Sequence, residues 1–111
     1  MTPNDTTWTT LVDVPRLAAA LGESIRVVDA RATASTAVRV VDARASLADP
    51  QAGAGQYAAG HIPGAVYADL NHDLSDLGRS GHGRHPLPDS DAFAATLGQW
   101  GITPETQVVV Y

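Results

Sequence analysis

The chain of 111 residues contains no cysteine. That single absence excludes disulfides, thiolate metal sites and a cysteine nucleophile. Aromatic residues make up only 5% of the sequence, so a core has to be built mainly from Val, Leu, Ile and Ala. Basic residues are few as well: seven Lys plus Arg stand against twelve Asp plus Glu, for a net charge of −5. Without a basic stripe, neither nucleic acid nor an anionic membrane is an expected partner, and the acidic balance mainly favours solubility. No apolar run approaches the roughly 18 residues of a membrane span. Met1-Thr2-Pro3-Asn4-Asp5 has neither the basic nor the apolar region of a signal peptide, and a cytoplasmic protein is expected.

What is present is typical of a folded chain. Hydrophobic residues at 44% and charged residues at 17% lie within the globular range. The length allows one domain or part of one, able to bury roughly two-thirds of its unfolded surface if the fold is complete. Residues 1–8 are polar and read as a flexible N-terminal arm. Thr9-Thr10-Leu11-Val12 is β-prone, a candidate first strand. Asp13 can cap a helix with Pro15 in its first turn. Val14, Leu17, Ala18 and Leu21 would form its apolar face, and Gly22 is placed to end it.

An internal duplication comes next. Arg26-Val27-Val28-Asp29-Ala30-Arg31-Ala32 returns unchanged thirteen residues later as Arg39-Val40-Val41-Asp42-Ala43-Arg44-Ala45. Both copies, 26–32 and 39–45, read as short buried strands ending in Asp-x-Arg. A parallel sheet has one slot for such a strand here, and either copy could take it. The second copy is favoured, with residues 26–38 looping out, because it leads on to Tyr57 and His61. A hairpin of the two copies through 32–37 is disfavoured, since that run holds no Gly, Asn or Pro. Two copies are also too few for a repeat architecture.

Residues 46–56, with Pro50, Gly53 and Gly55, read as a surface loop. Beyond them lie Tyr57 and Gly60-His61-Ile62-Pro63-Gly64-Ala65, where two glycines tolerant of positive φ and a proline of fixed φ mark a tight turn. An apolar strand, Val66 to Leu70, should leave it. The region after Leu70 is rich in Gly and Pro and loop-like. Asp89 or Ser90 can cap a second helix with Phe93, Ala94, Leu97 and Trp100 on its apolar face and Gly101 at its end. Gln107-Val108-Val109-Val110-Tyr111 reads as a strand of the parallel-sheet type. Alternation of strands and helices implies an α/β layer with a mostly parallel sheet.

The string Tyr-x-x-Gly-His-Ile-Pro-Gly-Ala, a few residues after Asp-Ala-Arg at the end of a valine-rich strand, resembles the rhodanese domain. Spacing suggests the N-terminal, non-catalytic domain of the tandem kind found in thiosulfate and 3-mercaptopyruvate sulfurtransferases. The resemblance implies an incomplete rhodanese-like domain over 9–111, with about four of five strands and flanking helices. The loop that cradles the reactive sulfur, the helices after it and the fifth strand would lie beyond Tyr111. That strand belongs between the first and the fourth, so a fragment should expose an apolar sheet edge.

Sulfane transfer needs a cysteine thiolate, which in tandem members belongs to the second domain. The implied function is therefore sulfur transfer in the complete protein, with this chain inactive alone. The alternative is a non-catalytic module that binds a partner through its open edge. Site-supporting rather than catalytic roles are expected for Asp42, Arg44, Tyr57, Gly60, His61, Pro63 and Gly64: a strand-end ion pair that fastens loops, and a histidine whose ring bonds the backbone to hold the turn. His72, His82 and His85 with Asp69, Asp73 and Asp76 lie on a Gly-rich segment that preorganises no metal site, so neither metal nor cofactor is expected. A second rhodanese domain or the missing C-terminal part is the expected partner, and a small sulfur donor binds only the complete protein.

Overall fold

The computed structural model describes residue 8, residues 10–29 and residues 38–111. Its elements run α1 (Val14–Asp29), β1 (Val38–Asp42), α2 (Ala52–Ala59), β2 (Val66–Tyr67), α3 (Ser90–Gln99) and β3 (Gln107–Val110). The three strands form one parallel sheet in the order β2-β1-β3. β1 is central because its Val38, Val40, Val41 and Asp42 can be buried on both faces, as a parallel strand requires. Its partners are Val66 and Tyr67 on one side and Gln107 to Val110 on the other. The second copy of the duplicated segment therefore holds the slot.

The core gathers Ala20, Val38, Val40 and Ala65, with Trp8, Leu17, Leu21, Ile62, Val109 and Tyr111 packed around them. Asp13 starts α1 by accepting the Arg16 amide on Oδ1 at 3.0 Å. The inward stripe is Leu17, Ala20 and Leu21, whereas Val14 and Ala18, expected on it, are exposed. Gly22 does not end α1, which continues to Asp29 and takes in Arg26-Val27-Val28-Asp29 as helix rather than strand or loop. A glycine inside a helix costs about 1 kcal/mol but does not block the hydrogen-bond ladder as proline does. The hairpin considered through 32–37 and the arm at 1–7 lie outside the described residues. Trp8, placed in that arm, is held to β3: its backbone N–H donates to Gln107 Oε1 at 3.2 Å.

Three more expectations change, the first being that the strand expected from Val66 to Leu70 is only Val66–Tyr67. Thr10-Leu11-Val12 is not a strand, so three strands rather than four are found among the described residues; Thr9 lies outside them. The loop expected over 46–56 gives way to α2 from Ala52, which runs through both glycines. Its alanines favour a helix, and Gly53 is used for close approach rather than for a turn. α3 keeps its expected ends, with Phe93, Leu97 and Trp100 half-buried, but Ala94, expected on the same face, is exposed. Asp89 Oδ2 accepts the amides of Asp91 and Ala92, and Gly101, at φ 77°, closes the helix. There the Ile102 amide bonds Leu97 O and the Gly101 amide bonds Gly98 O, the paired bonds of a Schellman motif.

Candidate functional site: the carboxyl end of the sheet

Asp42 ends β1, and its side chain is fully buried, at 0% exposure. A carboxylate cannot stay charged there without partners. Arg44 supplies most of them: its backbone N–H donates to Oδ1 at 3.0 Å, Nε to both oxygens at 3.1 and 3.2 Å, and Nη2 to Oδ2 at 2.7 Å. The Tyr111 hydroxyl donates to Oδ2 at 3.2 Å. The hydrogen bond from the Arg44 side chain holds the Asp42 carboxyl below its ordinary range, against burial, which pushes the other way. The same bond raises the Arg44 guanidinium. An exposed strand-end pair was expected; the carboxylate half of it is buried, and its loss would leave a cation with an unpaired face.

Arg44 also reaches across to the turn. Its Nη2 donates to Gly60 O at 2.7 Å, and its guanidinium lies 5.3 Å from the centre of the Tyr111 ring. Tyr111 in turn accepts the Ile62 amide on its hydroxyl at 3.1 Å. One carboxylate thus ties the ends of β1 and β3 to the segment Gly60–Ile62.

That segment carries its own lock. The Ala65 amide bonds Ile62 O at 2.9 Å, with Pro63 and Gly64 at the central positions and Gly64 at φ 81°. This is the sequence signature of a type II turn. Gly60 is different: its φ of 173° is extended backbone, and a Cβ there would meet nothing within 4 Å. Only one of the two glycines uses positive φ, and Gly60 contributes its carbonyl. Tyr57, from α2, spans the turn by donating to Ala65 O at 2.7 Å. His61 stacks on the Tyr57 ring at 3.6 Å, and its Nδ1 lies 2.7 Å from Tyr57 O. A carbonyl only accepts, so Nδ1 carries the proton in this bond.

A cavity of about 200 Å³ opens beside this network, lined by Ser46, Gly53, Tyr67, Asp69, Arg84 and His85 among others. It lies outside the carboxyl ends of β1 and β2, where open α/β sheets bind ligands. Burial raises the Tyr67 hydroxyl, with nearby Asp69 adding to the effect. Among the described residues no three His, Asp or Glu side chains come together to hold a metal ion. Instead His72 Nδ1 pairs with Asp69 Oδ2 at 2.5 Å, and His85, read in sequence as part of a solvated loop, is half-buried in the cavity wall.

The seven site residues named from sequence thus fall into two joined groups, Asp42, Arg44 and Gly60 in one and Tyr57, His61, Pro63 and Gly64 in the other. Sequence reasoning missed Tyr111 as a partner. Parallel pairing of Val41 with Val110 places residue 111 beside residue 42, so a parallel β1–β3 pair would have exposed it.

Residues 17–111 match the family model described as Rhodanese-like domain. A Pseudomonas aeruginosa protein named "Probable 3-mercaptopyruvate sulfurtransferase" is 51% identical over 67 residues, which make up 60% of this chain and 24% of that protein. Thiosulfate/3-mercaptopyruvate sulfurtransferase 2 of Arabidopsis thaliana is 45% identical over 56 residues, 50% of this chain and 16% of its own length. Among solved structures, 3-mercaptopyruvate sulfurtransferase from Leishmania major superposes with a TM-score of 0.62 at 36% identity, over 67% of this chain and 20% of that one. The chain therefore spans about a quarter or less of the relatives it matches. With its parallel sheet, its Gly-His-Ile-Pro-Gly-Ala turn and a family match over residues 17–111, this chain belongs to the rhodanese-like domain family.

Proposed function

We propose that this chain is the nucleophile-free, N-terminal rhodanese domain of a tandem cytoplasmic sulfurtransferase that uses thiosulfate or 3-mercaptopyruvate. The observation that carries this reading is a rhodanese-like match over residues 17–111, shared with sulfurtransferase relatives that are several times longer than the matched region. In the complete protein a cysteine thiolate from the second domain attacks the sulfane sulfur. The donor leaves without that sulfur, and the persulfide passes it to a thiophilic acceptor.

This chain's part is to shape one wall of the site. Asp42 fixes Arg44, Arg44 fixes Gly60, and the Tyr57–His61 stack keeps the turn in place. Arg84 offers positive charge, and His85 a ring nitrogen, to an anionic donor at the cavity, while Asp69 is engaged by His72. The test is thiocyanate formation from thiosulfate and cyanide, and pyruvate release from 3-mercaptopyruvate. The chain alone should give neither, and joining it to a cysteine-bearing second rhodanese domain should give at least one. Turnover by the purified cysteine-free chain would overturn the reading.

A second reading rests on β3, an edge strand of the sheet with Val110 60% exposed. On this reading the chain is a non-catalytic module that pairs with a partner there. A stoichiometric complex that protects the amides of residues 107–111 from exchange, with no sulfur transfer in the joined protein, would favour it.

A further inference from the structure

The central strand of this sheet is encoded twice. Ile25 to Ala32 and Val38 to Ala45 differ at a single position, Ile25 against Val38, which is one methylene. Yet the two copies adopt different structures: Val38–Asp42 is β1, whereas Ile25–Asp29 forms the last part of α1.

We propose that the β1 slot is degenerate, and that the chain exchanges between the observed register and one in which Ile25–Asp29 lie between β2 and β3. The slot buries Val38, Val40, Val41 and Asp42. Thirteen residues earlier the same demands are met by Ile25, Val27, Val28 and Asp29. A slip of one residue would turn every side chain to the wrong face, but a slip between identical segments preserves both faces. The Asp42–Arg44 pair is repeated in sequence as Asp29 and Arg31, so the buried carboxylate keeps a guanidinium two residues on.

The rest of the fold does not strongly favour one register. Leu17, Ala20 and Leu21 of α1, which pack on the core, precede Gly22. An α1 ending at Gly22 keeps that packing and puts glycine at its preferred helix end. The part given up, Gly22 to Asp29, includes a glycine and three β-branched residues, poor helix formers that suit a strand. In the slipped register the connection from α1 to the strand shortens and the one from the strand to α2 lengthens. Closure entropy changes only with the logarithm of loop length, so the two effects oppose each other and both are small.

Because the chain has no cysteine, paired cysteines report the register without background. Val41 and Val110 are partners across β1 and β3, and neighbouring strands bring Cα atoms within disulfide reach. Mild oxidation of V41C/V110C should close a disulfide within one molecule, seen as a faster band on a non-reducing gel. V28C/V110C should close one too. A disulfide in the first variant only, or in neither, overturns the proposal.

Urea unfolding of V27D, V40D and the double variant gives a second reading that does not depend on thiol geometry. With a degenerate slot, V40D moves the chain to the slipped register and loses less than half of the midpoint lost by the double variant. If V40D alone loses as much as the pair, only one copy can serve.

Discussion

Gly53 and Gly55 stand two residues apart in α2, and replacing each by alanine should change stability in opposite directions. Alanine is favoured over glycine inside a helix by about 1 kcal/mol. At Gly55 a Cβ meets nothing within 4 Å, so Gly55→Ala should stabilise by about 0.5–1 kcal/mol. At Gly53 the new methyl would lie 2.3 Å from the Arg44 carbonyl oxygen and 2.5 Å from the Tyr67 hydroxyl. The tyrosine can swing aside, but the carbonyl belongs to the strand end that carries the Asp42 pair. Clearing it requires about 1 Å of backbone movement, and overpacking of that kind costs about 1–3 kcal/mol. After the propensity gain, Gly53→Ala should destabilise by about 1 kcal/mol or more, leaving the two alanine variants about 2 kcal/mol apart. For a domain of this size that is roughly 8 °C in melting temperature. Thermal melts followed by circular dichroism, with urea midpoints as a check, measure the difference. Stabilisation by both alanines would refute the close approach of α2 to the end of β1, and with it the account of how α2 is held.

Asp42→Asn should destabilise by about 1.5–3 kcal/mol at pH 7, the range for hydrogen bonds to a charged group. Because the folded-state value of Asp42 is depressed, its contribution is complete above the ordinary aspartate value of 3.8 and is lost as pH falls from there through the folded value. Urea midpoints of the two proteins should therefore converge at low pH, and a gap that stays constant would refute the ion pair as its source. Tyr57→Phe removes the bond to Ala65 O and should cost about 1 kcal/mol, read from the same midpoints; no change would mean that the turn is held without it. Val110→Lys places a charge on the exposed edge of β3 and should reduce light scattering by the isolated chain at high concentration. Equal scattering would show that this edge does not drive association.

The sequence was most readable where one local rule acts alone. Pro63 and Gly64 state their turn, and Asp89 with Gly101 states both ends of α3. It was least readable where a tertiary contact reverses a local preference. Gly53 looks like a loop residue, yet it lies in a helix that presses on a carbonyl, and that carbonyl can be found only by folding the chain. Gly22 looks like a stop, yet α1 passes through it, because nothing after it before Asp29 forbids a helix. The site divides in the same way. The Asp42–Arg44 pair is visible as Asp-x-Arg, but the burial of its carboxylate and its link to Tyr111 depend on which strands pair.

The buried carboxylate also explains why the end of the sheet can be well ordered around so short a β2. Val66–Tyr67 offers only two residues of pairing, too few to orient the turn before it by ladder bonds alone. Arg44 on Gly60 O and Tyr111 on the Ile62 amide fix that turn from two further points. Both depend on Asp42 to position the groups that make them. Removing its charge should therefore loosen residues 60–62 before it loosens β1, whose valines remain buried. Hydrogen exchange on Asp42→Asn distinguishes the two orders of opening: early loss of protection at Ile62 with β1 intact supports the latch. Simultaneous loss across β1 would mean that Asp42 acts only as a member of the core.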